Sequence, residues 1–330
     1  MIVKSAGKSD LGLVRKVNED YIRLLPENNL FIVCDGMGGH NAGEIASMTA
    51  CDIITALYTT FYDRLLGDEQ LRLPRVFPPS TDVLVKAVRI ANHTIFRQAA
   101  ENPSLAGMGT TIVAAAIEKD IVTLLHVGDS RIYRFFDNTL TPLTVDHSWV
   151  AELEQSEQIT AEEARTLVNR NVITRALGVR ENVEIDVSVR KIAENEIFLM
   201  CTDGLCGFVE DSEIKHVVAS CGADLERLVT ELVRMANDRG GLDNVSVVAL
   251  RVTGKIDPSD LPKLKTVTVE AEPPDYLEAE RQWGTTAVDY MKEKHPSGES
   301  EEIGKSPTKF IAFSVVVILI VIVLYLILKG

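Results

Sequence analysis

The amino-acid sequence predicts an α+β fold followed by a single C-terminal transmembrane helix, and three observations lead there. Short runs rich in β-branched residues recur through residues 1–254, several separated only by tight turns such as Glu118-Lys-Asp120 and Asp137-Asn138, the spacing of antiparallel neighbours. Longer stretches with helical periodicity fall between them: Leu84, Val88, Ala91, Ile95 and Ala99 share one helix face, long enough to cover a sheet. Near the C-terminus, residues 310–328 form an uncharged apolar run. In chain order, strands are expected at 21–25, 30–34, 110–117, 121–127, 131–136, 184–189, 196–201 and 245–252. Helices are expected at 42–62, 82–100, 146–155 and 225–237, and Thr160-Ala-Glu-Glu163 opens another with a capping-box spacing.

Composition narrows the function. The 330 residues carry 34 Lys and Arg against 48 Asp and Glu, a net charge of −14, which excludes a sequence-independent nucleic-acid binder. Five cysteines without a C-x-x-C pair read as reduced thiols of a cytosolic compartment. The first residues hold no apolar run long enough for a signal peptide. The 19 residues 310–328 correspond to roughly 28 Å of helix, close to the ~30 Å hydrocarbon thickness of a bilayer. A buried core helix would show a polar stripe; this run has none. The expected organisation is a globular domain at 1–254, a flexible stalk at 255–309 that is partly helical around 276–294, and a single transmembrane helix at 310–328. The reduced thiols, the absent signal and Lys305 and Lys309 beside the span place the domain on the cytoplasmic side of the cell membrane.

The chemistry is signalled by acids at strand ends. Residues 29–36 and 196–204 share a pattern, an apolar strand, a cysteine and then Asp-Gly, ending in Asp35-Gly36 and Asp203-Gly204. Gly128-Asp129 sits between two strands, and Asp243-Asn244 opens the last one. Four such acids without accompanying Cys or His ligands suit a hard cation, Mg²⁺ or Mn²⁺, rather than zinc. Unneutralised, they would repel one another strongly. Arg15, ahead of Glu19 and Asp20, adds a group suited to bidentate contact with phosphate.

Taken in order, Arg15 to Asp20, Asp35-Gly-Met-Gly-Gly-His40 with Gly43-Glu44, Gly107-Met-Gly-Thr-Thr111, Gly128-Asp-Ser-Arg131, Asp146-His147, Thr174-Arg-Ala-Leu-Gly178, Thr202-Asp-Gly204 and Asp243-Asn244 resemble the motif series of the metal-dependent PP2C-type (PPM) serine/threonine phosphatases, especially bacterial members. The resemblance implies a four-layer α-β-β-α sandwich, two antiparallel sheets flanked by helices. It implies two Mn²⁺ or Mg²⁺ ions and a third, weaker one. Asp35 would bridge the pair, the Gly36 carbonyl would bind one ion, Asp203 and Asp243 the other, and Asp129 with Asp203 the third. Glu19 and Asp20 would act beside the ions, partly through water, Arg15 would clamp the phosphoryl group, and residues 147–171 would form a flap.

The implied reaction is hydrolysis of protein phosphoserine and phosphothreonine by a metal-activated hydroxide, with phosphoproteins as substrates and a cognate Ser/Thr kinase as a partner. No cysteine stands in a C-x5-R arrangement that would form a phosphoenzyme. Eukaryotic members carry His directly after Asp-Gly, where this chain has Met37; metal-bound water is then the preferred leaving-group acid, and His40 is read as part of the glycine turn. The alternative from another class is a catalytically inactive membrane adaptor that keeps the fold.

Overall fold

The computed structural model describes residues 2–39, 42–71, 73, 77–160, 163, 172–254, 266–269 and 277–294. Its strands are β1 (Ile2–Asp10), β2 (Asp20–Leu25), β3 (Leu30–Met37), β4 (Gly109–Thr110), β5 (Ile112–Glu118), β6 (Ile121–Val127), β7 (Arg131–Phe136), β8 (Thr139–Pro142), β9 (Ile185–Lys191), β10 (Ile197–Cys201), β11 (Val245–Thr253) and β12 (Thr266–Val269). The helices are α1 (Ala42–Thr59), α2 (Tyr62–Leu66), α3 (Pro79–Glu101), α4 (Trp149–Gln155), α5 (Asp203–Cys206), α6 (Asp211–Cys221), α7 (Leu225–Asp238) and α8 (Leu277–Lys294). One sheet runs β1-β11-β10-β7-β8, the other β12-β9-β6-β5-β3-β2 with β4 paired to the end of β3. The pairings are antiparallel throughout.

Strand alternation sorts the side chains into three apolar layers. Phe31 and Val33 of β3 face Phe198 and Met200 of β10 and Val248 and Leu250 of β11 between the sheets. The intervening Leu30, Ile32 and Cys34 pack against Ala46, Ala50 and Ile53 of α1 and Leu84 and Val88 of α3. On the opposite face, Leu199, Cys201 and Val247 meet α6 and α7 through Val218, Leu228 and Leu232. This is the period-2 division of a strand buried on both faces. Each fully buried Leu, Ile or Phe contributes about 1.5–3 kcal/mol. The four-layer sandwich is the result.

Several elements differ from the sequence reading. β1 and β8 were not expected, nor was α6, which begins with a capping box between Glu210 and Glu213. The helix expected over 42–62 divides into α1 and α2, with the break at residues 60 and 61. The largest difference concerns the stretch read as a stalk: β12 pairs with β9, and α8 presents Ala279, Trp283 and Ala287, three buried residues at helical spacing, to the α1 and α3 layer. The Trp283 indole donates to Asp68 Oδ2 at 2.6 Å, stacks edge-on against Phe61 with centroids 6.0 Å apart and lies under the Arg64 guanidinium. The compact unit therefore runs from Met1 to Lys294 instead of ending at 254. A narrow stripe of two alanines and one tryptophan carries too little apolar signal to be recognised from periodicity alone. Among the described residues, no helix is long and apolar enough to cross a membrane; the run 310–328 lies outside them.

Candidate metal centre

The acids picked out by the sequence converge at one end of the sandwich because the strands that carry them are neighbours. Asp20 opens β2 directly opposite Asp35 in β3. In the other sheet, Asp203 follows β10, and Asp243 precedes β11, its partner strand. Asp129 sits in the turn from β6 to β7.

Backbone bonds then fix each position. The Asp35 carbonyl accepts from the Thr111 N–H at 2.8 Å and the Thr110 hydroxyl at 2.9 Å, while the Asp35 N–H donates to Thr111 Oγ1. The Gly36 N–H donates to the Glu19 carbonyl at 3.0 Å, and a Cβ at Gly36 would collide with the Gly43 carbonyl, so only glycine brings that backbone so close. The two sheets are joined through Asp20: its Oδ2 accepts from the Thr202 hydroxyl at 2.9 Å, which in turn accepts from the Ser246 N–H.

Asn244 ties the Arg15 segment to the same end. Its amide donates to the Leu11 and Val17 carbonyls, and its Oδ1 accepts from the Glu19 N–H at 2.8 Å. Sequence reading gave Asn244 no task of its own, because its partners lie far away in the chain.

The electrostatics match a cation site. Burial, followed by repulsion from Asp20, Asp203, Asp129 and Asp243, pushes the Asp35 carboxyl well above its ordinary range. Asp20 rises to about 7, first through burial and then through Asp203 and Asp243, with hydroxyl bonds opposing. Asp129 also rises to about 7, through burial, Asp203 and Asp146. Asp203 is raised by burial and Asp243, and Glu19 mainly by burial. Asp20 Oδ1 and Asp129 Oδ1 are buried with no hydrogen-bond partner. Clustered carboxylate oxygens, orphaned and mutually repelling, are the donor set a hard divalent cation takes. The predicted residues thus fit Mg²⁺ or Mn²⁺.

Arg15 stands at the rim, about half exposed, and donates to Asp243 Oδ2 at 2.8 Å. It thereby occupies a carboxylate oxygen that a cation would take, and moving off Asp243 would free its donors for a phosphoryl group. Cys34, beside Asp35, is fully buried with its thiol pushed well up by burial, which makes it inert as a nucleophile. The capping box of Thr160 and Glu163 is formed. Residues 161–162 and 164–171 of the expected flap, and His40, lie outside the described residues.

A second group was not anticipated. His126, His147 and Asp186 bring potential ligand atoms within 4.8 Å of one another. His147 Nδ1 already accepts from the Gly128 N–H at 3.1 Å, so the neutral ring carries its proton on Nε2, 3.3 Å from Asp186 Oδ2. Arg175 lies 3.5 Å from Asp186 and supplies the positive charge there. The protonated nitrogen and this guanidinium make the group a hydrogen-bonded cluster and a poor cation cage.

The protein phosphatase 2C family model matches residues 14–247. The chain belongs to the protein phosphatase 2C family. It is 34% identical over 244 residues to the serine/threonine phosphatase stp of Listeria welshimeri serovar 6b, covering 73% of this chain and 92% of that one. With the serine/threonine protein phosphatase PstP of Mycobacterium tuberculosis it shares 36% identity over 255 residues, 76% of this chain and 45% of that longer protein. A crystal structure of M. tuberculosis PstP superposes with a TM-score of 0.67 at 34% identity, covering 77% of this chain and 100% of that one. The catalytic domain of PstP in complex with two manganese ions gives a TM-score of 0.66 at 33% identity, with 77% and 99% covered.

Proposed function

We propose that this phosphatase 2C family member hydrolyses phosphoserine and phosphothreonine in proteins, using divalent cations held by its acid cluster. The observation that carries the reading is the convergence of Asp20 and Asp129, both buried, with the partly buried Asp35, Asp203 and Asp243 into one mutually repelling set within a fold shared with a phosphatase crystallised with manganese. Asp35 and the Gly36 carbonyl, Asp203 and Asp243 would hold two ions, and Asp129 with Asp203 a third. Bound divalent ions supply an acidified water and positive charge at the phosphoryl oxygens. The chain supplies the rest. Arg15, once off Asp243, grips the phosphoryl group with two parallel N–H donors. Glu19 and Asp20 take up protons and orient water beside the ions. An inactive adaptor is not favoured, since it would have no reason to keep carboxylates that repel one another.

The test is phosphate release from a phosphothreonine peptide by EDTA-stripped full-length protein. Release should require added Mn²⁺ or Mg²⁺ and vanish in Asp35→Ala; turnover by that variant at the unaltered rate would refute the reading.

We further propose that residues 310–328 anchor the protein in the cell membrane with the catalytic unit on the cytoplasmic side. The uncharged length of the run supports this, as do five free thiols. A Ser/Thr kinase in the same membrane would then be a natural partner, opposing the reaction on shared substrates. Deleting residues 310–330 should move the protein to the soluble fraction, and continued membrane association would overturn the anchor.

A further inference from the structure

We propose that His147 is a positioning residue that sets the place of the Asp129 carboxylate and joins it to the base of the segment between residues 149 and 172. This rests on the reading of Asp129 as a ligand of the third ion.

The turn that carries Asp129 is held by one residue from two sides. The His147 N–H donates to the Gly128 carbonyl at 2.7 Å, and the His147 ring accepts the Gly128 N–H through Nδ1 at 3.1 Å. Gly128 needs such a hold, because it lies between the end of β6 and the start of β7 with φ +115°, a conformation other residues avoid. The Asp129 carboxylate takes its own support from within the same turn, from its own backbone N–H and from the nearby Arg131 guanidinium. Its Oδ1 lacks a partner, and Asp203 and Asp146 repel it. Its position therefore follows from the backbone that His147 grips.

His147 is itself fixed. With Nδ1 accepting, the ring proton sits on Nε2 and faces Asp186 Oδ2 at 3.3 Å, as in the paired hydrogen bonds that orient histidines near metal centres. Asp186 is held by the Thr268 hydroxyl of β12 at 2.8 Å and by Arg175. The His126 ring stacks on His147, centroids 4.4 Å apart. From its backbone, the His147 carbonyl accepts from the Thr174 N–H at 2.8 Å, and Trp149 N–H donates to the Val172 carbonyl at 2.9 Å. Both ends of the 149–172 segment thus meet at the residue that grips the Asp129 turn.

Side-chain isosteres separate this role from a packing role. Asparagine at 147 can place Oδ1 near the Nδ1 position and accept the Gly128 N–H; glutamine reaches the Nε2 position and leaves that N–H without its acceptor. Mn²⁺ bound to EDTA-stripped full-length protein is counted by electron paramagnetic resonance and titration calorimetry. Wild type should bind two ions tightly and a third weakly. His147→Ala and His147→Gln should weaken the third ion by about 10- to 100-fold and leave the tight pair unchanged, while His147→Asn should restore the third to within a few-fold. If His147→Ala does not fold, the asparagine and glutamine variants decide. Equal third-ion affinity in those two variants, or wild-type affinity in alanine, overturns the positioning role and leaves Asp129 as a ligand. Only two ions in wild type overturns both.

Discussion

Stripping the cations from the acid cluster should make the fold lose stability as pH rises, opposite to a protein whose carboxylates are satisfied by salt bridges. Asp20 and Asp129 each have a folded-state pKa of about 7 against an ordinary 3.8. The folded chain then holds more protons than the unfolded chain between those values, so stability is full below about pH 4 and falls as pH passes through about 7. One pKa unit corresponds to about 1.4 kcal/mol, so each group removes on the order of 4 kcal/mol by pH 8. Ions that bind only the folded state restore about 2.7 kcal/mol at a hundredfold excess over Kd.

Urea unfolding of the EDTA-treated chain at about pH 5 and about pH 8, with and without Mn²⁺, reads this directly. The midpoint should drop at the higher pH without metal and recover with it. Asp129→Asn should raise the metal-free unfolding free energy at the higher pH by about 1 kcal/mol or more, seen as a higher midpoint, since it deletes one of the repelling charges. Metal-free stability that is flat or rises over this window would mean that Asp20 and Asp129 are not held protonated by the fold.

Two further outcomes follow from other parts of the structure. Trp283→Ala should cost about 3–5 kcal/mol, a fall in Tm of about 6–20 °C, and ending the chain after Gly254 should destabilise at least as much while ending it after Lys294 does not; calorimetry of the fragments checks this. Arg15→Ala should raise KM for a phosphopeptide about 10- to 100-fold through loss of a charge-assisted contact, with Mn²⁺ affinity retained or improved because Asp243 loses its ion-pair partner; steady-state kinetics beside calorimetric titration would expose a misassigned role if metal affinity collapsed.

What the sequence makes legible depends on whether a residue's task is local. Asp35 and Asp203 each follow a run of apolar residues closed by a cysteine and stand before glycine, so their convergence at one end of the sandwich is written into short segments. β1 is different: its small and polar residues at 4–9 show no strand signal, and the strand exists because β11 offers a complete antiparallel partner from Ile2 opposite Thr253 to Asp10 opposite Val245. The stripe on α8 needs the α1 and α3 surface before it means anything. Asn244, Thr202 and His147 stand in the motif series, but the groups they bond, the Asp20 carboxylate for Thr202 and backbone groups for all three, are brought near only by the closed sandwich. The split of the helix over 42–62 likewise has no clear marker in its apolar pattern.

On the proposed function, the convergent acids form a divalent-cation site whose occupancy switches on phosphate release. Mn²⁺ titrated into the EDTA-stripped full chain, with bound metal followed by electron paramagnetic resonance and phosphate release from a phosphothreonine peptide measured on the same samples, tests it most directly. Release should rise in step with filling of the tight sites, and Asp35→Asn should lose both together. Release that begins without bound metal, or tight binding that persists unchanged in Asp35→Asn, would contradict it.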